Sequence, residues 1–423
     1  MSQYSQLLRR NPDYARLWFA QVVSLTGDWF NVIALNTLVS RYTDGSGLAI
    51  SLLLLARFVP PLVVGPFAGV LVDRFDRKQL LIWSNVLRAV VVLMFLFATT
   101  PGTVWLIYTL TVIQFMLSAV FEPGQSAITP SLIHRDDLVT ANTLASVTWS
   151  VMLALGAVVG GVVSAIFGPA VALVVDAMTF AVAAWLIVPI KLNPPLPSVE
   201  LKAETKEESG SLIEGLRYVV AHPATAAVLL VKGGNSVGNV DTLATVIATQ
   251  IFVLGADGQL SLGIIYSVFG LGAILGPLLV NRFHDGSVKQ LRRLIIVGFI
   301  FSTLGWLFLG SASVFIVALI GMGIRAMGGS MNWTYSSVII QKTVPDRYLG
   351  RVFSLDFAVF QLVTVASTIV HGALVDALGA EKVPMIALWT AIASVAPLLL
   401  WTSILPRMEG RERRREAELT PAD

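Results

Sequence analysis

Asp28, Arg57, Arg88, Glu122, Asp176, Lys232, Asp241 and Arg325 all stand inside long apolar stretches of the chain. Side chains of these types could do two kinds of chemistry there. They can take up and release protons, or they can form ion pairs that break and re-form. A charge at the centre of a bilayer costs about 2.5–3.5 kcal/mol on insertion scales, so each must face protein or a watery cavity. Asp28 and Arg57 fall about 16 and 21 Å from the same membrane face at 1.5 Å per residue. A buried ion pair between them is expected, either locking two helices or acting as a titratable pair. Lys232 and Asp241 point to opposite sides of a straight helix, but Gly233, Gly234 and Gly238 can break that helix. Asp176 reads as structural.

Other chemistries are poorly provided for. The chain has no cysteine, which excludes disulfides, thiolate catalysis and thiolate-bound metal. His134, His222, His284 and His371 are scattered, with no metal-ligand spacing, and no glycine-rich phosphate loop occurs. No catalytic constellation, metal or cofactor is therefore expected. The net charge of +3 gives no reason to expect a nucleic-acid partner.

The elements that must position these charges are membrane helices. Hydrophobic residues make up 55% and charged residues 13%, with a mean hydropathy of +0.77. Soluble domains carry about 25% charged residues. Twelve stretches reach the roughly 20 apolar residues a spanning helix needs: 14–41, 47–72, 79–99, 103–125, 142–167, 170–190, 224–253, 260–282, 292–311, 314–340, 353–378 and 384–405. With both termini in the cytoplasm, only Arg41 and Lys382 of the 29 Lys and Arg fall in outer loops. That asymmetry is the positive-inside pattern. Residues 1–190 form the first six-span half. Residues 191–223 are a polar linker carrying a surface helix from Ser211 to His222. Residues 224–405 form the second half, and 406–423 an Arg/Glu-rich tail expected to lack order. Asp73-Arg74-Phe75 after span 2 returns as Asn281-Arg282-Phe283 after span 8, in keeping with a duplicated unit.

Spans 1, 4, 7 and 10 each carry a polar stripe at three- and four-residue steps, hence on one face. The stripes are Gln21, Ser24, Asp28, Asn31; Gln114, Ser118, Glu122, Gln125; Lys232, Asn235, Asn239; and Arg325, Gly329, Asn332, Ser336. A polar cavity between the halves is expected, lined by Asp28, Asn31, Arg57, Lys232, Asn235, Asp241, Arg325, Asn332 and Trp333. The competing reading is helix–helix glue, since Ser, Asn and Gln also bond neighbouring helices.

Residues 69–78, Gly-Val-Leu-Val-Asp-Arg-Phe-Asp-Arg-Lys, resemble the loop signature of the major facilitator superfamily and stand in its place between spans 2 and 3. Gly156-Ala157-Val158-Val159-Gly160-Gly161 in span 5 resembles an element of its antiporter members, with Ala157 where they carry proline. Glu214-Gly215-Leu216-Arg217-Tyr218, Gln341-Lys342-Thr343-Val344-Pro345-Asp346 and Gly350-Arg351-Val352 are similar to the bacterial macrolide- and enterobactin-exporter branch. The resemblance implies an all-α membrane protein with twelve transmembrane helices in two pseudo-symmetric six-helix bundles. It implies an inner-membrane, multi-pass secondary transporter of bacteria, monomeric and not an enzyme, whose partners are a small-molecule substrate, protons and the lipid bilayer. The activity it implies is export of a small amphipathic organic compound by alternating access, as a proton antiporter of the drug-efflux type. A siderophore or lipid-like metabolite exporter is the alternative, and a non-transporting sensor or scaffold the further one. Gly69, Asp73, Arg74, Arg77, Lys78 and Glu122 would form a gating latch. Related antiporters carry an arginine in helix 4 that span 4 lacks, which leaves Asp28, Asp241 and Glu122 as the expected proton carriers.

Overall fold

The computed structural model describes residues 3–134, 137–191, 212–280 and 286–419. Among them the regular structure is helical throughout. The helices are α1 (Gln3–Arg10), α2 (Pro12–Tyr42), α3 (Gly47–Arg74), α4 (Arg77–Met94), α5 (Val104–Ile128), α6 (Leu138–Phe167), α7 (Pro169–Ile187), α8 (Leu212–Ala221), α9 (Pro223–Asn235), α10 (Val240–Val246), α11 (Gln259–Val280), α12 (Val288–Gly310), α13 (Phe315–Thr343), α14 (Asp346–Leu378) and α15 (Val383–Leu419).

Local chemistry sets several boundaries. Pro12, Pro169 and Pro223 open α2, α7 and α9. Proline fits the first helical position because its missing N–H would be unpaired there anyway. The charged stretch 69–78 is mostly helical rather than a loop. Only Phe75 and Asp76 separate α3 from α4, and the Asp76 carboxylate caps α4 by accepting from the Gln79 amide at 2.8 Å.

Eleven helices among the described residues are long and apolar enough to cross a membrane. Their outward faces carry what a soluble protein would hide: Trp83, Trp105, Trp149 and Trp185 are each more than half exposed. The stretch 224–253, expected as one continuous span, departs from that pattern. It is two helices, α9 and α10, with a π-helical turn at Ile247–Ile251. Gly238 has φ +95°, a left-handed conformation that glycine adopts without strain. The tail also differs from expectation. α15 continues through Pro397 and Pro406 to Leu419, over a run of Arg, Glu and Ala that favours helix intrinsically. The linker core, 192–211, lies outside the described residues, and the helix α8 follows it at Leu212–Ala221.

By contacts the chain forms two compact units. The first comprises 1–202 with 241–267 and 372–380, and the second comprises 203–240, 268–371 and 381–423. In the first, α2 packs on α6 and α7, α3 on α5, and α4 on α5 and α7. Leu17, Leu81, Phe121, Ile128 and Ile187 belong to its core. In the second, α12 lies against α13 and α15, and α9 packs on both. Leu291, Ile295, Phe299, Tyr335 and Trp401 belong to that core.

Candidate functional site

In the first unit Asp28 pairs with Arg88, not with Arg57. The Arg88 guanidinium on α4 donates to Asp28 Oδ1 on α2 at 3.0 Å. The arginine is 6% exposed and the aspartate 29%. Arg88 also stacks over the Phe180 ring of α7, 3.9 Å from its centroid. The buried cation is therefore held by aromatic faces, while its carboxylate partner keeps access to solvent. Asp176, also on α7, is fully buried within Coulombic range of both groups, and neither carboxylate oxygen makes a well-formed hydrogen bond. Asn31 is buried and donates to Gln114 at 3.4 Å, joining two of the expected polar stripes.

Arg57 lies over the Phe115 ring at 5.1 Å, with Asp241, Asp28 and Tyr266 in Coulombic range. Asp241 in turn accepts from the Tyr266 hydroxyl at 3.0 Å. The expected Asp28–Arg57 pair is thus replaced because α4 offers Arg88, one helix further along the chain. The glycines of α6 have a packing role. A methyl at Gly156 would stand 2.7 Å from the Trp29 ring, and one at Gly160 3.0 Å from the Trp29 carbonyl oxygen. One at Gly161 would stand 2.9 Å from the Gln259 carbonyl oxygen. They let α6 approach α2 and the start of α11.

The first unit also contains a polar cluster around residues 41–48. Arg41 donates twice to Asp257 Oδ2, at 2.5 and 2.9 Å. Asp376 accepts from the Ser46 hydroxyl at 2.9 Å, the Gly47 amide at 2.5 Å and the Leu48 amide at 3.3 Å. A residue distant in sequence thereby caps the start of α3, where unpaired amides favour an anion. Asp376→Ala should lower stability by about 1–2 kcal/mol, the usual cost of a lost cap. An unchanged thermal melt would show that the cap contributes nothing.

In the second unit Lys232 on α9 donates to Asp356 on α14. These side chains are 5% and 1% exposed. The lysine nitrogen also lies 4.4 Å from the Trp333 ring centroid and 5.7 Å from that of Phe353. Arg325 on α13 is buried, donates to the Asn235 carbonyl at 2.9 Å and lies 5.7 Å from the Trp306 ring centroid. Asn235 accepts from Ser302 at 3.0 Å. Asn332 and Ser336 are fully buried, whereas Trp333 is 43% exposed. Lys232, Arg325, Asn332 and Ser336 are therefore buried inside the unit rather than open to water. At these positions the stripes of spans 7 and 10 pack helix on helix.

Arg77 is exposed and Lys78 half-buried at the start of α4. Gly69, Asp73, Arg74 and Glu122 lie outside the described side chains. Sequence reasoning passed over Asp356 and Tyr266, and weighed His371 only as a metal ligand. Asp356 carries a clear signal, a carboxylate within the apolar run 353–378, which a full count of intramembrane charges would have found.

The arrangement offers ion pairs, buried carboxyls and a broken helix, and no metal cluster among the described residues. Comparisons with known proteins agree. The putative bacilysin exporter BacE of Bacillus subtilis is 27% identical over 379 residues, covering 86% of this chain and 89% of that protein. Macrolide efflux protein A of Streptococcus pyogenes is 23% identical, covering 90% and 95%. Enterobactin exporter EntS of Shigella boydii serotype 18 is 25% identical, covering 90% and 88%. The fold matches the crystal structure of the nucleoside transporter NupG with a TM-score of 0.73, over 93% of this chain and 98% of that one, at 12% identity. Residues 17–365 match the Major Facilitator Superfamily, and the chain therefore belongs to that superfamily of membrane transporters.

Proposed function

We propose that this transporter exports a small amphipathic organic compound from a bacterium by alternating access, driven by proton entry. The observation that carries the reading is Asp28, a partly exposed carboxylate tied to the buried Arg88. Protonating Asp28 would release its hold on Arg88 and loosen α2 from α4, which links proton binding to helix movement. Asp241 is the second proton-carrier candidate, bonded to Tyr266 and within reach of Arg57. Three exporter-named relatives support the outward direction.

On this reading the protein is a monomer of the inner membrane with both termini in the cytoplasm, built from two related halves of six spans. Asp73 at the end of α3, Arg77 at the start of α4 and Glu122 on α5 form the inner latch. A siderophore or similar aromatic metabolite is the second substrate reading. It is favoured by the half-exposed Trp333 and Phe357, with Phe360 between them at 5.0 and 5.9 Å, and by the enterobactin-exporter relative.

The test is purified protein in liposomes with an imposed pH gradient and a panel of fluorescent and radiolabelled amphipathic compounds. At least one compound should move against its gradient and stop when a protonophore collapses the pH difference. Flux that ignores the gradient would overturn proton coupling, and no flux of any compound would favour a sensor or scaffold.

A further inference from the structure

His371 sits on α14 in the second unit, 5% exposed, and the mechanism above makes no use of it. Its Nδ1 faces the Ser367 carbonyl at 2.7 Å. A carbonyl only accepts, so Nδ1 must carry a hydrogen. That leaves Nε2 as the position where a proton can come and go. Nε2 lies 2.9 Å from the Thr390 hydroxyl on α15, and that same hydroxyl oxygen is 2.8 Å from the Ile386 carbonyl. The hydroxyl can serve either state. With a neutral ring it donates to Nε2. With a charged ring Nε2–H donates to it, and its own hydrogen turns to Ile386. One hydroxyl rotation therefore satisfies both protonation states of a buried group.

The ring is also wired to the break between α9 and α10. Ser367 Oγ accepts from the Gly238 amide at 2.8 Å and the Asn239 amide at 2.9 Å. Both donors lie at the interruption between α9 and α10. Asn239 further donates to Thr368 at 2.5 Å. The Trp306 ring lies parallel to the imidazole, 6.2 Å between centroids, and also packs on Gly238. Around His371, α15 brings Thr390 and α12 brings Trp306. Arg325 on α13 is the cation carried by that indole, and Asp376 further along α14 is committed to the start of α3.

We propose that His371 is a proton-binding residue that sets the stiffness of the α9–α10 hinge through Ser367. A charged ring strengthens the Nδ1–H bond to the Ser367 carbonyl, because charge-assisted hydrogen bonds are stronger. That steadies Ser367 and the two hinge amides it holds. Loss of the proton loosens them. The inference rests on the proton-driven reading for its purpose, but its test needs no substrate, so the two can fail separately.

The test uses the full chain in lipid nanodiscs. With 15N-labelled histidine, the ring signals missing from His371→Asn identify this residue, and they should change protonation on acidification from about pH 8 to 4. Hydrogen exchange at the Gly238 and Asn239 amides, corrected for intrinsic rate, should slow about fivefold over the same acidification. His371→Asn, whose amide can still donate to the Ser367 carbonyl, should abolish that pH dependence. Thr390→Val, a milder change on another helix, should reduce it. A ring that keeps one protonation state across that range overturns the proposal. So does hinge exchange that responds equally to pH in wild type and His371→Asn.

Discussion

Asp28→Asn should lower gradient-driven export by about a hundredfold or more, the usual scale for losing an essential proton-transfer group. The variant should still fold. Asparagine keeps a carbonyl to accept from Arg88, and the guanidinium retains the Phe180 face. The reading predicts a split between two assays in the same liposomes. Transport against a concentration gradient, powered by a pH difference, should collapse. Exchange of labelled for unlabelled compound without any pH difference should persist, because substrate binding and the conformational cycle remain. Undiminished uphill flux in the variant would remove Asp28 from the coupling mechanism. Loss of both activities with an intact melting profile would reassign it to substrate binding.

The apolar spans were largely legible in the sequence because membrane helices obey a strong constraint. Every backbone group must be satisfied within the segment, so each span announces itself as a long apolar run. Eleven helices among the described residues are long and apolar enough to span and follow that rule. The exception is instructive. Gly233, Gly234 and Gly238 marked 224–253 as breakable, yet hydropathy alone reads it as continuous. Beyond the end of α9 the chain takes a left-handed turn at Gly238, and the Gly238 and Asn239 amides meet Ser367 on a helix more than a hundred residues later. No local pattern announces a partner that distant.

The candidate site was legible as residue types and much less as partners. Intramembrane charges stand out in the sequence as groups needing company, but for Asp28 the expected partner differs from the one in the structure. Depth along the helix made Asp28 and Arg57 look matched, whereas pairing depends on which helix faces are turned together. That turned Asp28 toward Arg88 on α4. The stripes on spans 7 and 10 show the same limit. Spacing establishes a shared face, but water-lining and helix-packing faces use the same Asn and Ser. Asn332 and Ser336 are fully buried in this structure, an arrangement that either face can show in one state of a moving protein.

Lys232→Met should destabilise the second unit by about 3–5 kcal/mol, since removing one partner of a buried pair strands the other charge. Asp356 is 1% exposed, and its second oxygen, Oδ1, makes no hydrogen bond, so nothing else in the pocket offsets its charge. A melting temperature lower by about 10 °C is expected, measured on the detergent-purified protein. The informative comparison is the double variant Lys232→Met with Asp356→Leu. Apolar replacements of a buried pair are often neutral or stabilising, so the double should recover most of the loss. Transport then separates two roles. If the pair only ties α9 to α14, the double variant transports as well as it melts. If Lys232 instead works at the exposed face of Trp333, stability returns while flux does not, and the cation joins Asp28 in the working machinery. A Lys232→Met protein as stable as wild type would show that the buried pair contributes no net stability, and the burial argument would fail with it.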